Sequence, residues 1–242
     1  MKIMFSGTQI DEIANGIYRI STPVTVVPGG FTFNQYLVKD EQPLLFHTGL
    51  RRMLPLVRDA INAVLPVERL RYVSFSHYEA DECGALNDFL AVAPNAVPLF
   101  GKIAAIVSVG DVADRAPRTM EDNEVVSLGA HSVRWFAPPH LPHAWVCGFL
   151  FEETTKTLLC GDLFTQGGAT HKPLTESDIL EPREAFRGQL DYYSHTKNAG
   201  AMIERLAATQ PTILACMHGS AWRGDGARML RALGASLERT SE

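Results

Sequence analysis

The stretch Ser76-His77-Tyr78-Glu79-Ala80-Asp81-Glu82-Cys83-Gly84 constrains this chain more than any other. It follows an apolar run, residues 70–75, that predicts a buried strand. It leads into residues 85–90, whose apolar side chains have helical spacing. One imidazole and three carboxylates therefore sit on the turn between a strand and a helix. Any fold that keeps them there puts a charge-rich turn at the rim of a buried sheet. The bland reading is a solvated loop with Asp81 as a helix N-cap. The sharper one is half of a metal site.

The rest of the chain bears on that choice, because polar residues recur just after other predicted strands. His140 and His143 follow a strand at 132–136, Asp162 follows one at 157–160, and His218 ends one at 212–216. Further strands are predicted at 16–20, 31–38, 42–46, 97–100, 124–128 and 147–151. A turn closes residues 24–30, ending in Pro28-Gly29-Gly30. Helical spacing covers 51–65, the segment up to about 93, 192–209 and 223–237, with a short helix or turn at 103–109. Residues 137–145 are too rich in proline for regular structure, and 166–182 read as an irregular excursion. No linker or low-complexity segment divides the 242 residues. Hairpins with helices between them predict an α/β fold, two sheets covered by helices in one domain over residues 1–242.

Composition excludes several classes. A net charge of −5 leaves no basic footprint for nucleic acid. The four cysteines (Cys83, Cys147, Cys160, Cys216) form no C-x-x-C pair, which argues against a zinc knuckle or a disulfide framework. The N-terminus lacks the apolar core of a signal peptide, and no run is long enough to span a membrane. A cytoplasmic protein is expected.

Ligands at strand ends can converge on one rim of a sandwich. Three imidazoles and three carboxylates suffice for two metal ions with one bridging carboxylate, which holds ions roughly 3.5–4 Å apart. Oxygen donors with imidazole suit iron, manganese or zinc.

The order H-x-E-x-D, then H-x-P, then G-D at a strand end, then H-G resembles the metallo-β-lactamase superfamily. The resemblance covers nearly the whole chain, including Asn34-Gln35-Tyr36-Leu37-Val38 and the His47-Thr48-Gly49 turn. It implies an αββα sandwich of two mixed sheets flanked by helices. Hydrolases of that superfamily mostly carry H-x-H-x-D-H, whereas Glu79 and Glu82 stand here at the second and last histidine positions. The H-x-E-x-D form is similar to the di-iron domain of flavodiiron proteins, which reduce dioxygen or nitric oxide. Without a flavodoxin domain, the chain is more similar to stand-alone oxygen-binding di-iron proteins. Residue by residue, the resemblance implies one iron on His77, Glu79 and His140, and the second on Asp81 and His218, with Asp162 bridging. His140 matches the H-x-P ligand through Pro142, which leaves His143 beside the ligands. Glu82 has three roles open to it: coordinating, hydrogen-bonding a ligand, or pointing away. His47 replaces the superfamily's aspartate in the D-T-G turn, a supporting position.

Glu79 adds a negative charge where hydrolases have a neutral ring. That favours higher metal oxidation states and weakens the Lewis acidity a zinc hydroxide needs. The expectation is a non-haem di-iron protein that binds dioxygen, for sensing or for reduction of dioxygen or nitric oxide with an external reductase. A homodimer is expected from the resemblance. The alternatives are a dinuclear zinc (or manganese) hydrolase of an ester, thioester or phosphodiester, and a non-catalytic oxygen-responsive binding protein. In the latter, residues 166–187 serve as the contact surface or as a lid. Tyr78, Phe164, Trp145 and Trp222 neighbour the ligands in sequence and either pack the core or rim or line a narrow apolar gas pocket.

Overall fold

The computed structural model describes residues 7–25 and 27–239. The N-terminal residues read as lacking a signal peptide, 1–6, lie outside the described residues, as does Val26 of the predicted turn. Strands β1 (Gln9–Ala14), β2 (Ile17–Val24), β3 (Phe31–Val38) and β4 (Leu44–Phe46) form an antiparallel meander. Helix α1 (Leu54–Asn62) then crosses over, so β5 (Tyr72–Ser74) lies parallel to β4. Helices α2 (Ala80–Cys83) and α3 (Leu86–Val92) lead to β6 (Val97–Gly101), again parallel. Helix α4 (Lys102–Ala104) runs through a π turn at Ala105–Val109 into α5 (Gly110–Val112) and on to β7 (Arg118–Met120), which closes the first sheet in the order β1 to β7.

The second sheet starts with β8 (Val125–Ser127), β9 (Ser132–Phe136), β10 (Phe149–Glu152) and β11 (Thr157–Leu159), all antiparallel neighbours. The chain then passes through β12 (Leu174–Thr175), α6 (Leu180–Gln189) and α7 (Ala199–Ala207). Strand β13 (Ile213–Ala215), β14 (Ala221–Arg223) and helix α8 (Gly226–Arg239) follow. Strand order is β12-β14-β13-β11-β10-β9-β8, with β13 parallel to β11 and β12 parallel to β14. Both sheets are mixed and helices flank them, as the αββα expectation requires.

Period-two alternation explains the layering. Leu150, Leu159, Ile213 and Ala215 point into the core shared with the first sheet. Their neighbours Phe149, Phe151, Leu158, Leu214 and Cys216 point the other way, against Leu206 of α7 and Leu230 and Leu233 of α8. A strand buried on both faces reads as a continuous apolar run, which is how residues 147–151 and 212–216 look in the sequence.

Register brings the polar strand ends together. Phe136 pairs with Phe149, Leu150 with Leu159, and Leu159 with Ala215, so the ends of β9, β11 and β13 share one rim. The Gly148 N–H donates to the Ser76 carbonyl at 2.8 Å, joining that rim to the end of β5 in the other sheet. Residue 148 must be glycine, because a Cβ there would run into the Trp135 indole.

One helix starts later than its spacing predicts, and another lies where none is predicted. Residues 192–198 are not helical; α7 starts at Ala199 because Tyr192 and Tyr193 turn inward, the Tyr193 hydroxyl donating to the Leu163 carbonyl at 2.9 Å. The excursion at 166–182 gives way to α6, whose Leu180 and Glu181 N–H groups both donate to Asp178 at 3.0 Å.

Candidate metal centre

Each ligand candidate sits where a strand stops. His77 follows β5, Glu79 precedes α2 and Asp81 lies in its first turn. Asp162 occupies a 3-10 turn, Gly161–Phe164, just after β11, and His218 follows β13. No side chain caps α2, so the N-cap reading of Asp81 gives way to contacts with imidazoles.

The side chains form two sets joined by one carboxylate. His77 Nε2 lies 2.8 Å from His143 Nε2 and 3.4 Å from Glu79 Oε1. Glu79 Oε1 is also 3.2 Å from His143 Nε2. Asp162 Oδ2 faces this set at 3.9 Å from His77 and 3.8 Å from His143. Its other oxygen, Oδ1, lies 3.1 Å from His218 Nε2, which in turn is 3.5 Å from Asp81 Oδ2. Donors bound to one ion at about 2.0–2.2 Å sit about 3–3.5 Å from one another. The spacings here fit two cations, the first facing His77, Glu79 and His143, the second facing Asp81 and His218, with Asp162 between. The ligand atoms of His77, His143 and Asp162 all lie within 4.8 Å of one another.

Electrostatics follow this arrangement. Hydrogen bonding to His143 and His77 holds Glu79 down at about 2. Burial raises the Asp162 carboxyl, but the charges of His218, His77 and His143 outweigh it and hold it well below the usual carboxylate range. Burial raises Asp81. Burial lowers His218, yet Asp162 more than compensates and raises it.

Behind His77 the cluster is closed. Glu82 is fully buried, its Oε1 3.3 Å from His77 Nδ1 on the side away from Glu79 and Asp162. Its Oε2 accepts the Ser76 and His77 backbone N–H groups, each at 2.9 Å, and the Ser76 hydroxyl lies 2.7 Å from both carboxylate oxygens. Burial pushes Glu82 up to about 7. His47, at 3.5 Å from Glu82, is equally buried, and burial pushes it down to about 3. Of the three roles open to Glu82, the geometry selects hydrogen bonding behind a ligand.

The two loop histidines exchange the places expected of them. His140, chosen as ligand on the H-x-P spacing, is exposed and has a φ of 64°. His143, expected only beside the ligands, lies at the centre of the first set. The physical reason is Leu141, fully buried in the second-sheet core. Anchoring that side chain inward turns His140 out, and the loop carries His143 back over His77.

The four aromatics expected either to pack the core or rim or to line a pocket divide between core and surface. Tyr78 and Trp145 are 48% and 57% exposed, while Phe164 and Trp222 are buried in the core packed against α7 and α8. Other rings roof the site. Phe31 stacks on His218 at 4.2 Å between centroids and on Phe186 at 5.5 Å. Tyr192 continues the arc, 6.0 Å from Phe186 and 6.1 Å from His143. Its buried hydroxyl has no hydrogen-bond partner among the described residues. Burial raises its pKa, so it stays a donor. Sequence adjacency to a ligand could not find these rings; the aromatic pair Tyr192-Tyr193 inside a predicted amphipathic helix was the available signal.

Known proteins carry the same architecture. The flavodiiron protein of Giardia intestinalis superposes with a TM-score of 0.80 at 20% identity, covering 98% of this chain and 60% of that one. The rubredoxin oxygen:oxidoreductase of Desulfovibrio gigas gives a TM-score of 0.79 at 21% identity, covering 95% and 62%. In sequence, the rubredoxin-oxygen oxidoreductase of Megalodesulfovibrio gigas is 27% identical over 211 residues, 83% of this chain. The chain spans only 51% of that relative's length. The family model described as ODP family beta lactamase matches residues 31–219, a span that contains every side chain of both ligand sets. This chain therefore belongs to the ODP family of beta-lactamase-fold proteins.

Proposed function

We propose that the protein is a non-haem di-iron protein that binds dioxygen and, given electrons from an external reductase, reduces dioxygen or nitric oxide. One observation carries the reading: Asp162 offers one oxygen to each of two histidine–carboxylate sets. Glu79 in the first set supports iron over zinc, since an extra carboxylate stabilises the higher oxidation state. The names of the relatives, flavodiiron protein and rubredoxin-oxygen oxidoreductase, point the same way.

Bound iron would supply electrons and open coordination positions for a diatomic ligand. The chain's own residues do the rest. Among the described residues, Asp81, His218 and Asp162 would hold the second ion, and three donors would leave room for a ligand. Phe31 stacks on His218 and Phe186 on Phe31, lining that side with aromatic rings. The Tyr192 hydroxyl, without a hydrogen-bond partner among the described residues, would donate to a polar atom held beneath the rings. The working unit is taken to be a homodimer in the cytoplasm, to be checked by light scattering and fractionation. No helix of the described residues is long and apolar enough to cross a membrane.

Metal analysis of protein purified without added metal tests the proposal. Two irons per chain and a visible band that appears with oxygen are expected, both lost in Asp162→Ala. Two zinc ions with efficient ester or thioester turnover would overturn it in favour of the hydrolase. An oxygen-dependent band without oxygen consumption under any reductant would leave binding and remove reduction.

A further inference from the structure

The back of the His77 ring is held by groups to which the ligand sets give no part. His77 Nε2 faces His143 and Asp162, so Nδ1 faces inward. There the Ser76 hydroxyl oxygen lies at 2.9 Å and Glu82 Oε1 at 3.3 Å. Glu82 Oε2 already accepts two backbone N–H groups, so its carboxylate is built as an acceptor. The Ser76 hydroxyl, 2.7 Å from it, donates its one proton there. Ser76 Oγ is then left with lone pairs only, and it can meet Nδ1 only as an acceptor. The sequence Nδ1–H to Ser76 Oγ–H to Glu82 is directional. It keeps the ring proton on Nδ1 and the lone pair on Nε2.

We propose that Ser76 and Glu82 are positioning residues that fix the tautomer and orientation of His77 for metal binding, with His47 acting through Glu82. The inference rests on the metal reading above. His47 lies 3.5 Å from Glu82, and neither of its ring nitrogens has a hydrogen-bond partner among the described residues. Its contact with the carboxylate connects it to the back of His77. The packing around Ser76 is close: a Cβ on Gly161 would lie 2.7 Å from its hydroxyl. The hydroxyl therefore has little room to swing away from His77. Supporting groups of this kind govern metal affinity by roughly 10- to 100-fold.

The test uses zinc as a diamagnetic probe on the full chain. Affinity is read by chelator competition, and the His77 ring proton by nitrogen-edited NMR of the zinc-loaded protein. Ser76→Ala removes the relay yet leaves Glu82 its backbone partners, so it should fold. It should weaken zinc binding about tenfold or more and expose the Nδ1 proton to rapid exchange. Glu82→Gln should do the same. His47→Ala should weaken binding less, and should add nothing in the Glu82→Gln background. Wild-type affinity together with a protected ring proton in both Ser76→Ala and Glu82→Gln would overturn the positioning role alone. A full additional loss from His47→Ala in the Glu82→Gln protein would overturn the part given to His47. A wild-type chain that takes up no zinc and no iron would overturn the metal reading and this inference together.

Discussion

At the scale of single residues, His143 and Tyr192 make the sharpest predictions. His143→Ala should lower the metal content of the purified protein, while His140→Ala should leave it unchanged; elemental analysis of the two side by side decides. Spacing to a proline favoured His140, and the decision between them was made by Leu141, whose burial at 0% exposure turns one ring out and the other in. A local motif carries no information about which side chain the core will claim. Tyr192→Phe keeps the ring of the roof and removes one donor. A net hydrogen bond of about 1 kcal/mol corresponds to roughly fivefold faster release of bound dioxygen. Iron content should not change, and stopped-flow spectroscopy measures the rate. The candidate ligands at 77, 79, 81, 162 and 218 were legible because they lie within a few residues of predicted strand ends. The roof was not, because Phe31, Phe186 and Tyr192 meet only after both sheets have folded.

Among the elements, strands were easier to read than helix starts. The long strands of the two sheets are apolar runs bounded by turns, a strong signal. Short ones such as β12, with two residues, and β7 and β14, with three each, have no periodicity to detect. Helix α6 announced itself only through Asp178, whose carboxylate takes the Leu180 and Glu181 N–H groups. The start of α7 was displaced because burial of two tyrosines outweighs helical propensity over residues 192–198. The bond from Gly148 to Ser76 is one of several ties between the sheets, the Asn34 N–H to the Met217 carbonyl being another. Gly148→Ala should push against Trp135 and cost about 1–3 kcal/mol of stability, read from chemical denaturation. Because the shift begins at the end of β10 beside Ser76, metal affinity should fall with it.

The whole molecule has two polar ends with different jobs. At the end opposite the metal rim, in register with Val133 and Thr157, Glu152 is wholly buried. It accepts bonds from His131 Nδ1 at 2.9 Å and from the backbone N–H groups of Thr154 at 2.9 Å and Thr155 at 2.7 Å. Burial raises its carboxyl, but the Thr155 and His131 bonds prevail and hold it below the ordinary value. A carboxylate lower in the folded than in the unfolded chain stabilises fully above its unfolded value of about 4.3. That stabilisation drains away as pH falls through the folded value. Glu152→Gln should therefore lower the melting temperature at neutral pH and flatten its decline below about pH 4.3, in chelated and metal-loaded protein alike.

The shared Asp162 has a consequence for how such a centre fills. One carboxylate cannot be aimed at one ion without being aimed, through its other oxygen, at the neighbouring position. The first arrival settles the orientation that the second requires, so occupancy should rise steeply rather than in two separate steps. Cells poor in the metal would then hold a mixture of empty and fully loaded chains, with few half-loaded ones between.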